Sequence, residues 1–351
     1  MNQISEQTAE KVSQARATYL GANKKKYIVI AVLAVLVFVS LIIDVLTGAA
    51  MLTPQEVLST LFNPGGASAG TYVIIWQMRL PIALMAIAVG CALGSAGSVM
   101  QTILHNPLAS PYTLGIGAAA GFGASLAIVM GLGNTGSAVL SFVFSMSICM
   151  LIWAMNRKSD ISGGTLVLTG IALLFLFQAL QALVQYGASE TQNQNIVFWS
   201  FGSLQKTDWI KLAITSGIVA VCLPLIMRDS WKYTALMLGD EKAEGLGVKV
   251  GPLKMRAFVL VSLLAASAVC FTGSIGFIGL AGPHIARTLV GEDQRFYIPV
   301  STICGAALLS IASIISKLIR PGLIFPIGII TSIIGVPFFF AIVARARRGG
   351  K

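Results

Sequence analysis

The side chains able to do chemistry are few in this chain, and their spacing argues against a reaction centre. His105 stands in an Asn-Pro turn and His284 directly follows Pro283, each without a second ligand nearby, so both read as structural residues. Cys91, Cys149, Cys222, Cys270 and Cys304 all fall in apolar runs without metal-knuckle or redox spacing, which marks them as small packing residues and not as disulfides. One acid, Asp44, sits near the end of an apolar stretch. This set assembles neither a metal site of N, O or S ligands nor a nucleophile with its base. What remains is amide chemistry. Gln178, Gln181 and Gln185 recur at i, i+3 and i+7, on one face of a helix. Amides are costly in hydrocarbon, so they face either a cavity or a neighbouring helix. The nearest approach to a phosphate-binding loop, Gly131 to Gly136 followed by Ser137, lacks the lysine and reads as a turn.

The backbone carries more information than the side chains. Residues 273 to 287 form an apolar run with a glycine at every third or fourth position, closed by Pro283, His284 and Arg287. Proline suits a helix start, where its missing donor costs nothing, so the pattern predicts a short helix, a turn and a second helix. Non-helical backbone at membrane depth is tolerated only beside protein or a water-filled cavity. Gly276, Gly279 and Gly282 are therefore expected along a translocation pathway. The Gly90 and Gly94 pair and the Gly117 and Gly121 pair fit close helix packing instead.

The elements that must position these residues are membrane spans. With 56% hydrophobic and 11% charged residues, the chain cannot present a soluble surface. Apolar segments recur at about 27–46, 80–104, 113–132, 136–155, 164–187, 209–227, 253–272, 281–291, 298–318 and 327–344. The expected fold is an all-α polytopic membrane protein of about ten transmembrane helices, including a broken glycine-rich segment at 273–291. The first stretch is about the length needed to cross a bilayer and reads as a retained anchor. Placing the N-terminus inside puts 19 of the 24 Lys and Arg on the cytoplasmic side and leaves Arg79, Lys206, Lys211, Lys317 and Arg320 outside. That bias accounts for the net charge of +11 without nucleic-acid binding. The domain reading is a polar cytoplasmic tail at 1–26, a permease domain at 27–344 and a basic cytoplasmic tail at 345–351.

No connection is long enough for a soluble catalytic domain. The longest, residues 48 to 78, opens on Thr53-Pro54-Gln55-Glu56, the signature of a capped surface helix. The stretch 228–256 is amphipathic, acidic near Asp240 and Glu241, and punctuated by Gly239, Gly245 and Gly247. It reads equally as two short helices on the membrane face or as a solvated loop.

Several of these segments together resemble the permease subunit of the ATP-binding-cassette importers for ferric siderophores, haem and cobalamin. They are Arg79-Leu80-Pro81, the 105–111 run His-Asn-Pro-Leu-Ala-Ser-Pro, Leu238 to Val248, Gly273 to Arg287, Phe325 to Gly328 and Gly335 to Phe339, in that order. The resemblance implies a subunit that dimerises about a central pathway and receives cargo from a periplasmic or lipid-anchored binding protein. Two separate ATPase subunits would drive it; they would hold ATP and magnesium, and this chain would bind no cofactor and catalyse nothing. It also implies coupling helices at about 234–250, with Gly239, Asp240, Glu241, Ala243 and Gly247 seated on the ATPase. Arg79, Lys317 and Arg320 would dock the binding protein, although Arg79 and Lys317 also read as cations snorkelling at span ends. Charged positions usual in that family are Ile82, Ser313 and Phe325 here, which weakens docking unless a different permease chain supplies the charges.

The expected cargo is a ferric siderophore, with haem or cobalamin as alternatives, and the expected location is a bacterial inner membrane with both termini cytoplasmic. A bare metal ion is a poor candidate, since iron would have to pass already chelated. A gradient-driven transporter would need paired ionisable groups near the midplane, and an intramembrane enzyme a catalytic set; neither is found.

Overall fold

The computed structural model describes residues 2–156, 163–320 and 322–349. Arg157, Lys158 and Lys351, counted above among the cytoplasmic cations, lie outside the described residues. Every predicted apolar segment is helical, and no strand occurs among the described residues beyond an isolated bridge between Arg320 and Leu323. The helices are α1 (Asn2–Leu46), α2 (Pro54–Phe62), α3 (Ala69–Tyr72), α4 (Leu80–Ile103), α5 (Ile116–Val129), α6 (Gly133–Asn156), α7 (Gly163–Tyr186) and α8 (Glu190–Ser200). They continue as α9 (Trp209–Arg228), α10 (Ser230–Leu236), α11 (Asp240–Gly245), α12 (Val250–Thr272), α13 (Ile278–Val290), α14 (Gln294–Leu318) and α15 (Ile327–Gly349).

Among the described residues, seven helical stretches are long and apolar enough to cross a membrane; α5, α13 and the Ile327–Pro337 part of α15 are shorter. At 1.5 Å per residue, α5 and α13 reach only about 20 Å, two thirds of a hydrocarbon core. They are held by protein. Helix α1 runs unbroken from Asn2, so the polar residues 2–26 continue the first span as a helix and the boundary at residue 27 is one of composition alone.

The core is built by α4, α12 and α14, the most buried of the long helices, whereas α1, α7 and α9 lie at the rim. Small residues set how closely the inner helices approach. A Cβ at Gly90 would stand 2.5 Å from the Gly305 carbonyl oxygen, and one at Gly94 2.4 Å from that of Ser301, so this pair packs α4 on α14 as its spacing predicts. Gly117 lies under the Tyr112 ring and Gly121 under the Gln181 amide.

On the surface, α2 carries a full capping box. Thr53 Oγ1 accepts from the Glu56 amide at 3.3 Å, while a Glu56 carboxylate oxygen accepts from the Thr53 amide at 2.8 Å. The donated Thr53 amide, and then its hydroxyl, hold the Glu56 carboxyl below the usual glutamate range. A carboxyl depressed by folding stabilises above its unfolded pKa, and that stabilisation is lost as pH falls through the lower folded value. The protection factor of the Thr53 amide, its exchange taken relative to the intrinsic rate at each pH, is therefore expected to be high at pH 7 and low at pH 3, with Glu56→Ala low at both. Equal protection of the two chains at pH 7 would contradict the box.

Candidate functional site

The two ends of the bundle differ. One end, where α1 enters, α4 and α9 finish and α12 and α14 begin, carries Lys24, Lys25, Lys232, Lys242, Lys249, Lys254 and Arg256. The opposite end carries Arg79, Lys206, Lys211, Lys317 and Arg320.

At the basic end, the 228–256 stretch resolves into the two short helices α10 and α11. Gly239 (φ +101°) separates them and Gly247 (φ +83°) stops α11. Gly247 donates to the Glu244 carbonyl at 2.8 Å and Val248 to that of Ala243 at 3.0 Å, the paired bonds of a Schellman end that needs a left-handed residue. Asp240 and Glu241 occupy the first turn of α11, where the helix dipole favours them, and Lys254 reaches Asp240 at 2.5 Å. Glu241, Leu238 (58% exposed), Leu246 (54%) and Trp231 (57%) point outward. A cavity of ≈550 Å³ opens beside them, lined by Trp231, Leu246, Gly247, Pro252 and Arg256. Ala243, expected to meet a partner, is instead fully buried against this chain's own core. Behind the segment, Asp229 is buried between Lys232 (3.0 Å) and Arg256, which fastens the start of α10 to α12.

At the opposite end, two of the three expected docking cations are buried. Arg79, 5% exposed, closes a π-helical stretch (Val73–Arg79) that leads into α4. Its guanidinium donates to the carbonyls of Val45 (3.2 Å), Leu46 (3.0 Å) and Ala50. It therefore caps the carbonyls that the end of α1 leaves without helical partners. Lys317, 6% exposed, donates to the Asp44 carboxylate at 2.7 Å, and Ser313 donates to both oxygens of that group at 3.0 Å. Asp44 is fully buried. Neither cation can meet an incoming partner, because α1 has already engaged both. Arg320 is exposed, as is Lys206. Lys206 borders a cavity of ≈310 Å³ with Asn134, Asn195, Trp199 and Lys211.

The glycine-rich run breaks differently from its prediction. Helix α12 persists to Thr272, residues 273–277 are irregular, and α13 begins at Ile278 behind Phe277 (φ +66°). Pro283 lies inside α13, not at its start. Gly279 and Gly282, expected along a pathway, are buried in helix packing against α4 and α14, while Gly276 has open space around it. Residues 273–277 meet two other irregular segments. Ser203 donates to the Thr272 carbonyl at 2.7 Å, Ile327 to that of Gly202 at 3.1 Å, Gly328 to that of Phe201 at 3.1 Å, and the Ile275 amide to the Tyr112 hydroxyl at 2.9 Å. Inside protein, the Tyr112 side chain thus holds the break, the Ser203 amide the end of α12, and the first residues of α15 the 201–202 carbonyls. Gly202 and Tyr112 gave no signal of this in the sequence; Gly328 stood in a quoted motif without an assigned role.

Of the three glutamines, Gln181 turns toward α5, half-buried against Gly121, and Gln185 is also half-buried. Gln178 is exposed on α7, among Leu168, Phe175 and Leu183, along a rim face that this chain leaves uncovered. Within one chain they do not converge on a common cavity.

This arrangement of two short helices at the basic end, a broken span and a packed α4–α14 pair has counterparts among known proteins. Residues 14–345 match the model of the FecCD transport family. The chain belongs to that family. A solved ABC transporter of the metal-chelate type, in an inward-facing conformation, superposes with a TM-score of 0.80 at 30% identity, covering 90% of this chain and 98% of the other. The Fe(3+)-citrate import permease of Bacillus subtilis is 33% identical over 90% of this chain and 95% of its own length. The molybdate import permease of Haemophilus influenzae is 34% identical over 79% of this chain and 82% of its own. The protein is a multi-pass membrane permease subunit of an ABC importer, a transport component and not a catalytic one.

Proposed function

We propose that this permease carries a ferric siderophore chelate across a bacterial inner membrane. In this reading the basic end is cytoplasmic, as the positive-inside bias requires, and both termini lie there. Two ATPase subunits dock on α10 and α11, hydrolyse ATP with magnesium, and move these helices. A substrate-binding protein delivers cargo to the opposite end. A second permease chain, identical or different, covers the open face of α7, so that Gln178 borders a pathway between the two copies. The observation that carries the reading is the α10–α11 surface, where Leu238, Leu246 and Trp231 stand exposed on an otherwise charged end. Exposed apolar side chains rimmed by charge mark a protein contact. An iron chelate as cargo is favoured by the relative whose name gives ferric citrate. The relative named for molybdate makes an oxyanion the cargo to test against it.

With Arg79 and Lys317 engaged internally, docking of the binding protein falls to Arg320 and Lys206. Such rim charges chiefly steer encounter and set register. Alternating access follows from rigid-body movement of α10 and α11.

The test is uptake of radiolabelled ferric hydroxamate, ferric citrate, haemin, cobalamin and molybdate in cells with and without the chain, repeated with Leu246→Asp. Leu246→Asp is expected to insert normally yet to lose ATPase co-purification and at least about tenfold in uptake, since a charge buried without a partner is strongly disfavoured. Normal uptake by Leu246→Asp would remove the docking assignment, and ferric chelates entering equally without the chain would remove the cargo. Gly247→Arg is a poorer probe. At φ +83° any side chain strains the end of α11 whether or not a partner sits there.

A further inference from the structure

The inner side of α10 is tied to the core by polar bonds that neither packing nor docking requires. Gln294, fully buried at the start of α14, is their centre. Its side-chain oxygen accepts from Thr102 Oγ1 of α4 at 3.0 Å. Its side-chain amide donates to the Glu292 carbonyl, in the α13–α14 connection, at 3.0 Å. Its backbone amide donates to Thr234 Oγ1 of α10 at 3.2 Å. One residue thus bonds to α4, to α10 and to the connection that follows α13 at once.

Two further contacts extend the set. His105, just beyond α4, places Nε2 2.7 Å from the Leu236 carbonyl at the end of α10. It does so from φ +49°, one of two non-glycine residues at positive φ among those described; backbone held in a sparsely populated region tends to mark functional sites. Next to Thr102, Gln101 accepts from the Tyr297 hydroxyl of α14 at 2.8 Å and from the Arg287 guanidinium of α13 at 3.3 Å. The other strained residue, Phe277, starts α13 at the far junction of irregular segments. Helix α13 therefore has its C-terminal end in the polar cluster and its N-terminal end at the 273–277 break.

We infer that Gln294 is a positioning residue that locks α10 to α4, α13 and α14, so that movement of the α10–α11 segment is passed to α13 and the break above it. This rests on α10 and α11 being the ATPase-docking segment. The side-chain oxygen and amide of Gln294 are both bonded, and buried hydrogen bonds are directional and geometry-specific, which suits them to transmit a rigid displacement where sliding apolar contacts would let it dissipate.

The experiment uses the chain co-purified with its ATPase and an environment-sensitive fluorophore at Leu289→Cys, an exposed site near the end of α13. In the wild-type background, MgATP shifts the probe signal. Thr102→Val removes the donor to Gln294 at almost constant volume and Gln294→Leu removes the hub. Both are expected to keep ATP hydrolysis within twofold while reducing the probe shift at least fivefold, and Thr102→Ser is expected to restore it. Should Gln294→Leu fail to assemble, Thr102→Val and Thr234→Val decide. A full probe shift in Thr102→Val, or loss of hydrolysis and shift in equal proportion, overturns the relay and leaves the docking assignment standing. If the wild-type chain captures no ATPase or gives no shift, the docking reading falls and the relay with it.

Discussion

Lys317→Met is expected to destabilise the purified permease by about 3–5 kcal/mol, the cost of leaving one member of a buried pair without its partner. The reason lies in Asp44. It is fully buried, accepts from Lys317 at 2.7 Å and from Ser313 at 3.0 Å, and lies on α1, at the rim of the bundle. Without Lys317, the carboxylate keeps one neutral hydroxyl and no cation. It must then take up a proton or draw α1 away from α14 to reach water. Replacing both partners, as Asp44→Leu with Lys317→Met, removes both buried charges and is expected to recover most of the loss, because apolar substitutes for buried pairs are often neutral or stabilising. Ser313→Ala should cost about 1 kcal/mol, the worth of a single hydrogen bond. Thermal unfolding of the detergent-solubilised chain, followed by thiol exposure of the buried cysteines, reads all three. A single variant as stable as the wild type would mean that the pair is solvated and does not hold α1.

Gly97→Ala is the second large effect, and it is steric. A Cβ at Gly97 would stand 1.9 Å from the Gly279 carbonyl oxygen, backbone against backbone, so no rotamer change relieves it. Helices α4 and α13 must part. Overpacking of this kind costs about 1–3 kcal/mol. Because α13 joins the 273–277 break to the Gln294 cluster, uptake is expected to fall at least about tenfold. Gly70→Ala is the control: nothing lies within 4 Å of its Cβ, so a change within about 0.5 kcal/mol is expected. Equal uptake by the two variants would show that α13 tolerates displacement and is not part of the moving path.

Much of the architecture was readable because hydrocarbon imposes a one-dimensional rule. A chain that must hide its backbone from lipid forms apolar helices of span length, and ten apolar runs marked ten helices with ends close to those observed, apart from α1, which begins at Asn2 and not near residue 27. The Thr53 to Glu56 box was equally local, since its partners are three residues apart. The Gly90 and Gly94 spacing disclosed a packing face, although not that Gly305 and Ser301 would be opposite it.

What the sequence alone determined was thus the set of apolar helices, the excess of cations at one end and, through several ordered motifs, the family. The fate of individual charges was decided in three dimensions. Arg79 and Lys317 stand at span ends, where a cation ordinarily faces water, yet the carbonyls of α1 and the carboxylate of Asp44 claim them across 34 and 273 residues of sequence. Ala243 turned inward because α11 is a single helical turn and a half whose buried side must fill the core, leaving Glu241 and Leu246 to face out. The 273–277 break could be placed near a glycine run, but its bonds, from the Ile275 amide to the Tyr112 hydroxyl and from the Ser203 amide to Thr272 just before it, involve segments with no periodicity to reveal them. Periodic burial is written along the chain, residue by residue. Pairing between remote segments is a property of the assembled fold, because a polar group's partner is set by which helices become neighbours.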